Sequence, residues 1–562
     1  MKFPSLLCCL VLATAVGADV KISSAAANPR IKVARATSDF RVLLVPLDSR
    51  PAAGQFAQMI GKIDGVEVET PPIETLGRFT TPGNPDKIWS WLMQSDLTNV
   101  KAVIISAEML AYGGLIASRE SDISAEEATA ILRRLTEFRD KAPKYIKIFV
   151  FSATMRLAPT ATAKNVSWRS NLAKYEELQD RFERTGERSL IQQIAGLRNK
   201  VPAIEIINYE KTRRRNHHVQ VQLLQQAIGS SIDFLLMGQD DAKPDGPHIQ
   251  ENEVLRKLAS TYRLGEKVYF CEGIDQHANL LLSRVVLSAM NYTPRVKVVF
   301  SDPEGPEQYA MYESKTIRDS LKDQLVASGA ELARDNRFDY TLYVNTPKRR
   351  EGFLSLFVDK LKSELDQGLP VAVADINFGP DGASDEQIYN AIADKKRSSG
   401  LLSFAGWNTA GNTLGTAIPA ANVYLAARKT EVDPLIREVA QKEFLFHRIV
   451  NDWVYHRYTR VSTYRLIESL QRQKDEVYGI NFRTANTFAS NNLGKYAREI
   501  FTSLFENTFF FAGNKQYRLS SLDGLKVSLP WPRAYEARID FRFESEEVTT
   551  GDATNQRGGR KQ

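Results

Sequence analysis

The stretch Phe-Leu-Leu-Met-Gly-Gln-Asp-Asp at residues 234–241 contains the pattern on which the fold depends. Four apolar residues are followed at once by a glycine, an amide and two adjacent carboxylates. A short apolar run of this length is typical of a buried strand, and the longer amphipathic segments around it are typical of helices. The stretch therefore predicts one strand of a parallel sheet, with polar residues at its carboxyl end.

The same alternation recurs along the chain and predicts an α/β fold, with a largely parallel sheet or sheets built from βαβ units. The predicted strands lie at residues 42–45, 102–105, 146–151, 204–207, 234–237, 268–270, 296–300, 340–344, 371–374 and 401–404. Ten strands exceed one eight-stranded barrel. We therefore expect either two lobes or one elaborated barrel.

Changes in composition divide the chain into six parts. We expect a signal peptide at 1–18, a flexible leader at 19–40, α/β units at 41–295 and 296–430, a mainly helical C-terminal subdomain at 431–543 and a disordered tail at 544–562. A basic start, an apolar run and small residues are the order of a secretory signal. No later apolar stretch has the length of a membrane helix. These features predict a secreted, extracellular protein without a membrane partner.

The charge does not favour a nucleic-acid partner. The formal net charge is +7, and part of it lies in the leader and the tail. The densest basic run, residues 211–218, lacks the interleaved aromatic residues on which bases stack. Nothing in the sequence fixes the oligomeric state.

Polar residues follow most of the predicted strands. In parallel sheets the carboxyl ends of the strands share one edge, and ligands bind there. We therefore expect a carboxylate-rich pocket with Asp240 and Asp241 as the catalytic pair. The residues expected to bind the substrate are Asp48, Arg50, Glu108, Glu272, Asp275, Asp375, Trp407, Asn408 and Asn412. Carboxylates that lie close together at the opening of one pocket repel one another. This repulsion raises the pKa of some of them, so that they can act as acids.

Glycoside hydrolysis is the chemistry that this set of residues favours. One carboxyl group protonates the leaving oxygen, while a second acts as base or nucleophile or orients a neighbouring group of the substrate. Asp240 and Asp241 suit this pairing, with Trp407 as a stacking platform for a sugar and Asn408 and Asn412 as clamps. The prediction is a hydrolase that acts on a carbohydrate or glycoconjugate, with a small-molecule or glycan substrate and no cofactor.

A metal-dependent hydrolase ranks second. Its ligands would be Asp48, Asp241, Glu272, Asp275 and His277. Metal sites need carboxylates and histidines at ligand distances. The sequence has no HExxH or DxDxDG spacing, so we assign no metal ligands.

Simpler interpretations stay open. Asp48 and Asp240 are also suited to cap the helices that follow them. Arg50, Arg119 and Arg156 are suited either to clamp a carboxylate or phosphate of a ligand or to form ion pairs with the nearby acids. A two-lobed extracellular protein that binds a sugar or an anion without turnover is the alternative from another functional class.

Five motifs carry a family resemblance: VPLDSRP (45–51), LAYGGLIASR (110–119), GQDDA (238–242), EGIDQ (272–276) and AGWNTAGNTLG (405–415). The chain resembles a family of exported microbial proteins known only as a domain of unknown function, from about residue 41 to beyond residue 530. The family brings no established activity with it.

A second resemblance is to glycosidases of the N-acetylglucosaminidase class. In these enzymes a tandem Asp-Asp follows a barrel strand, and a Trp-Asn motif with a further Asn follows a later strand. Asp240-Asp241 and Trp407-Asn408 with Asn412 are similar to these elements. Here, however, they follow the fifth and the tenth predicted strands, which departs from a plain eight-stranded barrel. The likeness is therefore one of fold-level analogy.

Overall fold

Two parallel sheets form the framework of the molecule, which confirms the predicted α/β class. The structure is a computed structural model that describes residues 40–120, 123–162 and 164–548. The predicted signal peptide and almost all of the predicted leader lie outside the described residues, as does the tail from residue 549. Within the described residues the strands are β1 (Arg41–Val45), β2 (Glu67–Glu69), β3 (Val100–Ser106), β4 (Lys147–Thr154), β5 (Phe234–Gln239), β6 (Val268–Glu272), β7 (Arg295–Phe300), β8 (Glu331–Leu332), β9 (Tyr340–Asn345), β10 (Val371–Asp375), β11 (Ser403–Ala405), β12 (Phe509–Ala512), β13 (Lys515–Ser528) and β14 (Arg538–Glu547).

Helices connect the parallel strands, because a parallel pair cannot be joined by a tight turn. The α-helices are α1 (Gln55–Ile63), α2 (Pro85–Gln94), α3 (Ala107–Tyr112), α4 (Leu115–Glu120), α5 (Ala125–Lys141), α6 (Arg169–Thr185), α7 (Ile191–Arg198), α8 (Ala203–Ile228), α9 (His248–Thr261), α10 (His277–Ala289), α11 (Ile317–Ser328), α12 (Glu351–Asp366), α13 (Glu386–Ile392), α14 (Lys395–Gly400), α15 (Ala410–Ala427), α16 (Pro434–Arg448), α17 (Arg460–Leu470) and α18 (Gly479–Ile500). Among the described residues, every helix is too short or too polar to span a bilayer.

Both parallel sheets have the same strand order. The first sheet runs β2-β1-β3-β4-β5-β6, and the second runs β8-β7-β9-β10-β11. In each, the first strand lies between the second and the third, so the direction of winding reverses beside it. Ligands of open α/β sheets bind at such a reversal, beyond the carboxyl ends of the strands. Of the two predicted arrangements, the described residues form open sheets and not a closed barrel.

The first sheet is buried on both faces because successive residues of a strand point to opposite sides. Val42 and Leu44 belong to an apolar cluster that includes α10 and α15. Leu43 and Val45 belong to another, which includes α5 and α8. This burial explains why the strands are continuous apolar runs and do not alternate with polar residues.

Helix α15 lies between the two sheets. Ala420 and Val423 pack in the cluster of the first sheet, whereas Leu414 and Ile418 pack in the cluster of the second. Every residue of the helix is buried except Tyr424, which is half-buried. A helix that is apolar on all sides is typical of a core position. The helix therefore fixes its own N-terminus, residues 410–412, between the carboxyl edges of both sheets.

The C-terminal part combines helices with a small sheet. It contains α16, α17, α18 and two π-helical segments, Ile449–Thr459 and Phe501–Phe505. The sequence did not predict the three-stranded antiparallel sheet β12-β13-β14 that follows. Strand β14 continues to Glu547, whose pairing partner is Tyr517, so the first residues of the predicted disordered tail form a strand. The predicted boundaries between α/β units stay a prediction.

One predicted strand is wrong. Residues 204–207 begin the long helix α8. Ile204 and Ile207 are exposed, whereas Ile206 and Tyr209 are buried. The β-branched residues favour a strand locally, but the spacing of the buried residues is that of a helix face.

Candidate functional site

The side chain of Asp275 joins three of the loops that follow parallel strands. Its carboxylate accepts hydrogen bonds from Arg50, which follows β1, at 2.7 Å (Nη2 to Oδ1) and 3.3 Å (Nη1 to Oδ2). It also accepts long bonds from the amides of Asn408, at 3.3 Å, and Asn412, at 3.4 Å, which follow β11. Asp275 itself follows β6, so the carboxyl edges of both sheets meet here. We call Asp48, Arg50, Asp275, Asn408 and Asn412 the hub.

The Arg50 guanidinium lies between two carboxylates. Its Nη2 atom is 2.6 Å from Oδ2 of Asp48 and 2.7 Å from Oδ1 of Asp275. The Asp48 carboxylate also accepts the backbone N–H of Arg50 at 2.9 Å, which closes the turn after β1. Burial alone would lower the pKa of Arg50, but Asp275 and Asp48 outweigh it and raise that pKa well above its ordinary value. The interpretation of Arg50 as an ion-pair partner of nearby acids therefore describes the structure.

The bonds from the amides of Asn408 and Asn412 to Asp275 depend on a close approach of α15 to the loop after β6. Asn408 has a φ of 61°, in the left-handed region that asparagine tolerates better than most residues. Thr409 caps α15 by accepting the backbone N–H of Asn412 at 3.2 Å. A Cβ atom at Gly415 would lie 2.1 Å from Cγ of Gln276. Only glycine at this position lets the helix come close enough for Asn412 to reach Asp275.

Asp240 and Asp241 follow β5, and each is paired with an arginine. Arg119 Nη2 donates to Asp240, and Arg156 Nη2 donates to Asp241. The Asp240 side chain is 6% exposed, whereas that of Asp241 is 25% exposed. Asp240 also accepts the backbone N–H of Asp241 at 2.9 Å. Of the two predicted catalytic acids, only Asp241 therefore has a carboxylate that solvent can reach.

The pKa values of the two adjacent acids are shifted in opposite directions. Burial would raise the pKa of Asp240, but Arg119 and Arg156 lower it below its ordinary value. Burial raises the pKa of Asp241; Arg156 opposes this rise, and Asp240 adds to it. Asp275 raises the pKa of Asp241 as well, so Asp241 lies within electrostatic range of the hub. Two neighbouring acids with divergent pKa values are the arrangement from which acid and base roles arise.

The segment 531–536, between β13 and β14, covers the hub. The Tyr535 hydroxyl donates to Oδ1 of Asn408 at 2.7 Å. Trp531 Nε1 donates to Ser49 at 2.9 Å, and its ring lies 5.0 Å from the Arg50 guanidinium carbon. Glu536 places a third carboxylate 3.6 Å from Arg50. Sequence reasoning missed this segment, and its only signal was the density of aromatic and charged residues between two strands.

Two of the predicted substrate-binding residues, Glu108 and Asp375, point into the protein. Glu108 is 4% exposed and accepts bonds from Ser152 Oγ at 2.8 Å and the Ala153 N–H at 2.7 Å, which ties β3 to β4. Asp375 is fully buried and accepts an amide hydrogen of Asn345 at 2.8 Å. Burial raises the pKa of Asp375 to about 7.

The structure also corrects the role predicted for Trp407. The side chain is 6% exposed and its indole N–H donates to Thr416 at 3.2 Å. The edge of the Phe56 ring packs against it at 5.5 Å. Trp407 is a core residue, and neither of its ring faces is available as a stacking platform.

Glu272 belongs to a separate buried network. Its carboxylate accepts Ser314 Oγ at 2.5 Å and the Ser314 N–H at 3.2 Å. It lies beside Glu313, which accepts the N–H of Gly411 at the start of α15. Burial and the charge of Glu272 raise the pKa of Glu313 to about 8. Sequence reasoning missed Glu313 because the residue does not directly follow a predicted strand.

The four acids and the histidine of the metal alternative do not form one set. His277 is buried, and the edge-on contact with the Phe151 ring at 5.9 Å shows that it packs in the core. Burial lowers the pKa of His277 to about 3. Among residues 40–120, 123–162 and 164–548, no three His, Cys, Asp or Glu side chains are grouped so that they could hold a metal ion.

The comparison with protein families identifies a family for the chain, but that family has no known activity. The curated proteins contain no match to it. Residues 42–540 match the family described as "Protein of unknown function (DUF4127)", a span that includes every residue of the hub, both aspartates after β5 and segment 531–536. Because the match covers most of the chain, the predicted membership in a domain-of-unknown-function family is confirmed, and the chain belongs to this family.

Proposed function

We propose that this protein is an exported hydrolase that acts on a carbohydrate or glycoconjugate, with Asp241 as its proton donor. The observation that carries the proposal is the divergence of two adjacent carboxyl groups after β5. Asp240 is buried and its pKa is lowered, whereas Asp241 is partly exposed and its pKa is raised. A general acid needs a raised pKa and a position that the substrate can reach, and of the two acids Asp241 has the raised pKa and the more exposed side chain.

Hydrolysis in this proposal uses a single acid. As the glycosidic C–O bond breaks, the Asp241 carboxyl group gives its proton to the leaving oxygen. A water molecule then adds to the sugar carbon and returns a proton to the Asp241 carboxylate, so the enzyme is regenerated. Burial and, after it, the negative charge of Asp240 raise the pKa of Asp241 against the opposing charge of Arg156.

The replacement Asp241→Asn tests this assignment. We expect hydrolysis of aryl glycosides to fall about a hundred-fold or more while binding stays nearly intact. The loss should be larger for a phenyl leaving group than for a dinitrophenyl leaving group, because the latter departs without a proton. Asp245→Asn is the matched control: this residue lies on the same loop, has a side chain that is 29% exposed and also pairs with an arginine, Arg184. Equal losses in both variants, or no dependence on the leaving group, would contradict the role of Asp241.

A binding protein without turnover is the second candidate. It is supported by the hub, in which the arginine of the first sheet is already neutralised by Asp48 and Asp275. In that case the wild-type protein hydrolyses none of the glycosides, and Asp241→Asn weakens the binding of the sugar. Calorimetric titration of both proteins with the same oligosaccharides separates the two candidates.

A further inference from the structure

The loop between β7 and α11 presents an exposed group of large side chains. Tyr309 is 53% exposed, Met311 68% and Tyr312 50%. Adjacent exposed apolar and aromatic side chains mark interaction sites more often than single ones do. We call residues 308–316 the tyrosine loop.

The tyrosine loop is fixed at both its ends and its centre. Its ends are joined by a bridge between Tyr309 and Thr316 and by a 2.9 Å bond from the Ile317 N–H to the Gln308 carbonyl. At its centre, the carboxylate of Glu313 is held by the backbone at the start of α15. Exposure of the aromatic rings is therefore combined with a backbone that is held in place, which lowers the entropy cost of binding a ligand.

The loop lies against Asp241. The N–H of Ala242, the next residue, donates to the Tyr312 carbonyl at 2.8 Å. Burial and Arg156 lower the pKa of Arg169, and Tyr312 and Asp241 both oppose that shift. The backbone bond and this shared electrostatic influence place Tyr312 in the neighbourhood of Asp241.

The backbone of Tyr312 is held in an unfavourable conformation. Its φ is 67°, a value that costs energy for a bulky side chain. Such conformations persist only where the surroundings impose them, and they cluster at ligand clamps and active sites. Here the bond from Ala242 and the anchored Glu313 on the next position impose it.

We propose that Tyr312 forms the sugar-stacking subsite next to Asp241, in place of the buried Trp407. This inference rests on the proposed function, because its ligand class is the pyranose ring of that substrate. The C–H faces of a pyranose are apolar and stack on an aromatic ring, and its hydroxyl groups are left free for the polar residues around Asp241. Tyr312 is thus a residue that binds the ring beside the bond to be broken.

The test uses binding to the full-length Asp241→Asn protein, in which turnover does not interfere. The probes are chitotetraose and cellotetraose, titrated by calorimetry. We expect Tyr312→Ala in this background to raise the Kd about ten-fold, and Tyr312→Phe to change it less than about three-fold, because the ring is kept. Tyr309→Ala is the matched control: the residue is on the same loop and equally exposed, and no change is expected. Circular dichroism checks that each variant is folded.

The outcomes separate this inference from the proposed function. Unchanged binding in Tyr312→Ala overturns the subsite, even where Asp241→Asn has lost turnover. Weakened binding in Tyr312→Ala supports the subsite, even where the wild-type protein hydrolyses none of the glycosides and the hydrolase proposal fails. An equal loss in Tyr309→Ala and Tyr312→Ala also overturns it. If neither probe binds the parent protein, both the subsite and the carbohydrate proposal are wrong.

Discussion

Replacing Arg50 with methionine tests whether charge holds the hub together. The side chains of Asp48 and Asp275 are 6% and 7% exposed, so the variant leaves two buried carboxylates without their shared cation. Removing one partner of a buried ion pair costs about 3–5 kcal/mol. Methionine keeps most of the aliphatic length of arginine, so little of this loss comes from packing. We expect the free energy of unfolding to fall by about 3–5 kcal/mol at pH 7.

The assay is urea unfolding followed by far-ultraviolet circular dichroism, in which the shift of the midpoint gives the change in free energy. Arg318→Met is the matched control. Arg318 pairs with Glu307, but their side chains are 61% and 63% exposed, and pairs of this kind contribute about 1 kcal/mol or less.

A third variant separates charge from shape. In the triple variant Asp48→Asn, Arg50→Met, Asp275→Asn, the unpaired charges are gone, and we expect most of the lost stability to return. The reasoning is refuted if Arg50→Met loses less than about 1 kcal/mol, or if the triple variant is no more stable than Arg50→Met.

Two further predictions concern the surroundings of the hub. Because the pKa of Glu313 is raised from 4.5 to about 8, its stabilising contribution is complete below pH 4.5 and is lost as the pH rises through 8. Glu313→Gln should flatten this decline in the melting temperature between pH 5 and pH 9, and an unchanged slope would contradict it. Gly415→Ala should lower the free energy of unfolding by about 1–3 kcal/mol, because the new Cβ meets Gln276. Gly352→Ala, whose Cβ meets nothing within 4 Å, should stabilise helix α12 by up to about 1 kcal/mol; similar urea midpoints for the two would argue against the close approach.

Most of the strand framework was predictable because its signal is local. Strands buried on both faces are short apolar runs, and nine of the ten predicted runs fall on strands. The strand predicted at 204–207 was wrong because its β-branched residues lie on a helix, where Ile206 is buried and Ile204 and Ile207 are exposed. Only the tertiary structure decides which of these residues are buried. The short edge strands β2 and β8 lack such runs and were missed. The antiparallel sheet was also missed, although β12 is a short apolar run, because β13 and β14 mix apolar and polar residues.

The candidate site was predictable in part, for a topological reason. Asp48, Asp275, Asn408 and Asn412 come together because parallel strands deliver their carboxyl ends to one edge. The pattern at a strand end does not tell whether a side chain turns toward the cleft or toward the core, and Trp407 turns toward the core. Segment 531–536 was beyond prediction, since it reaches the hub from a sheet formed far along the chain.

Helix α15 packs against both parallel sheets, and this limits how the sheets can move relative to each other. If the two sheets moved apart, α15 would have to separate from the apolar cluster of one sheet or the other. Buried apolar surface of the helix would then be exposed to water, which costs free energy. The amides at its N-terminus would also be pulled away from Asp275. Opening of the hub would therefore require displacement of the residues that cover it, which are those of segment 531–536 that contact Ser49 and Asn408.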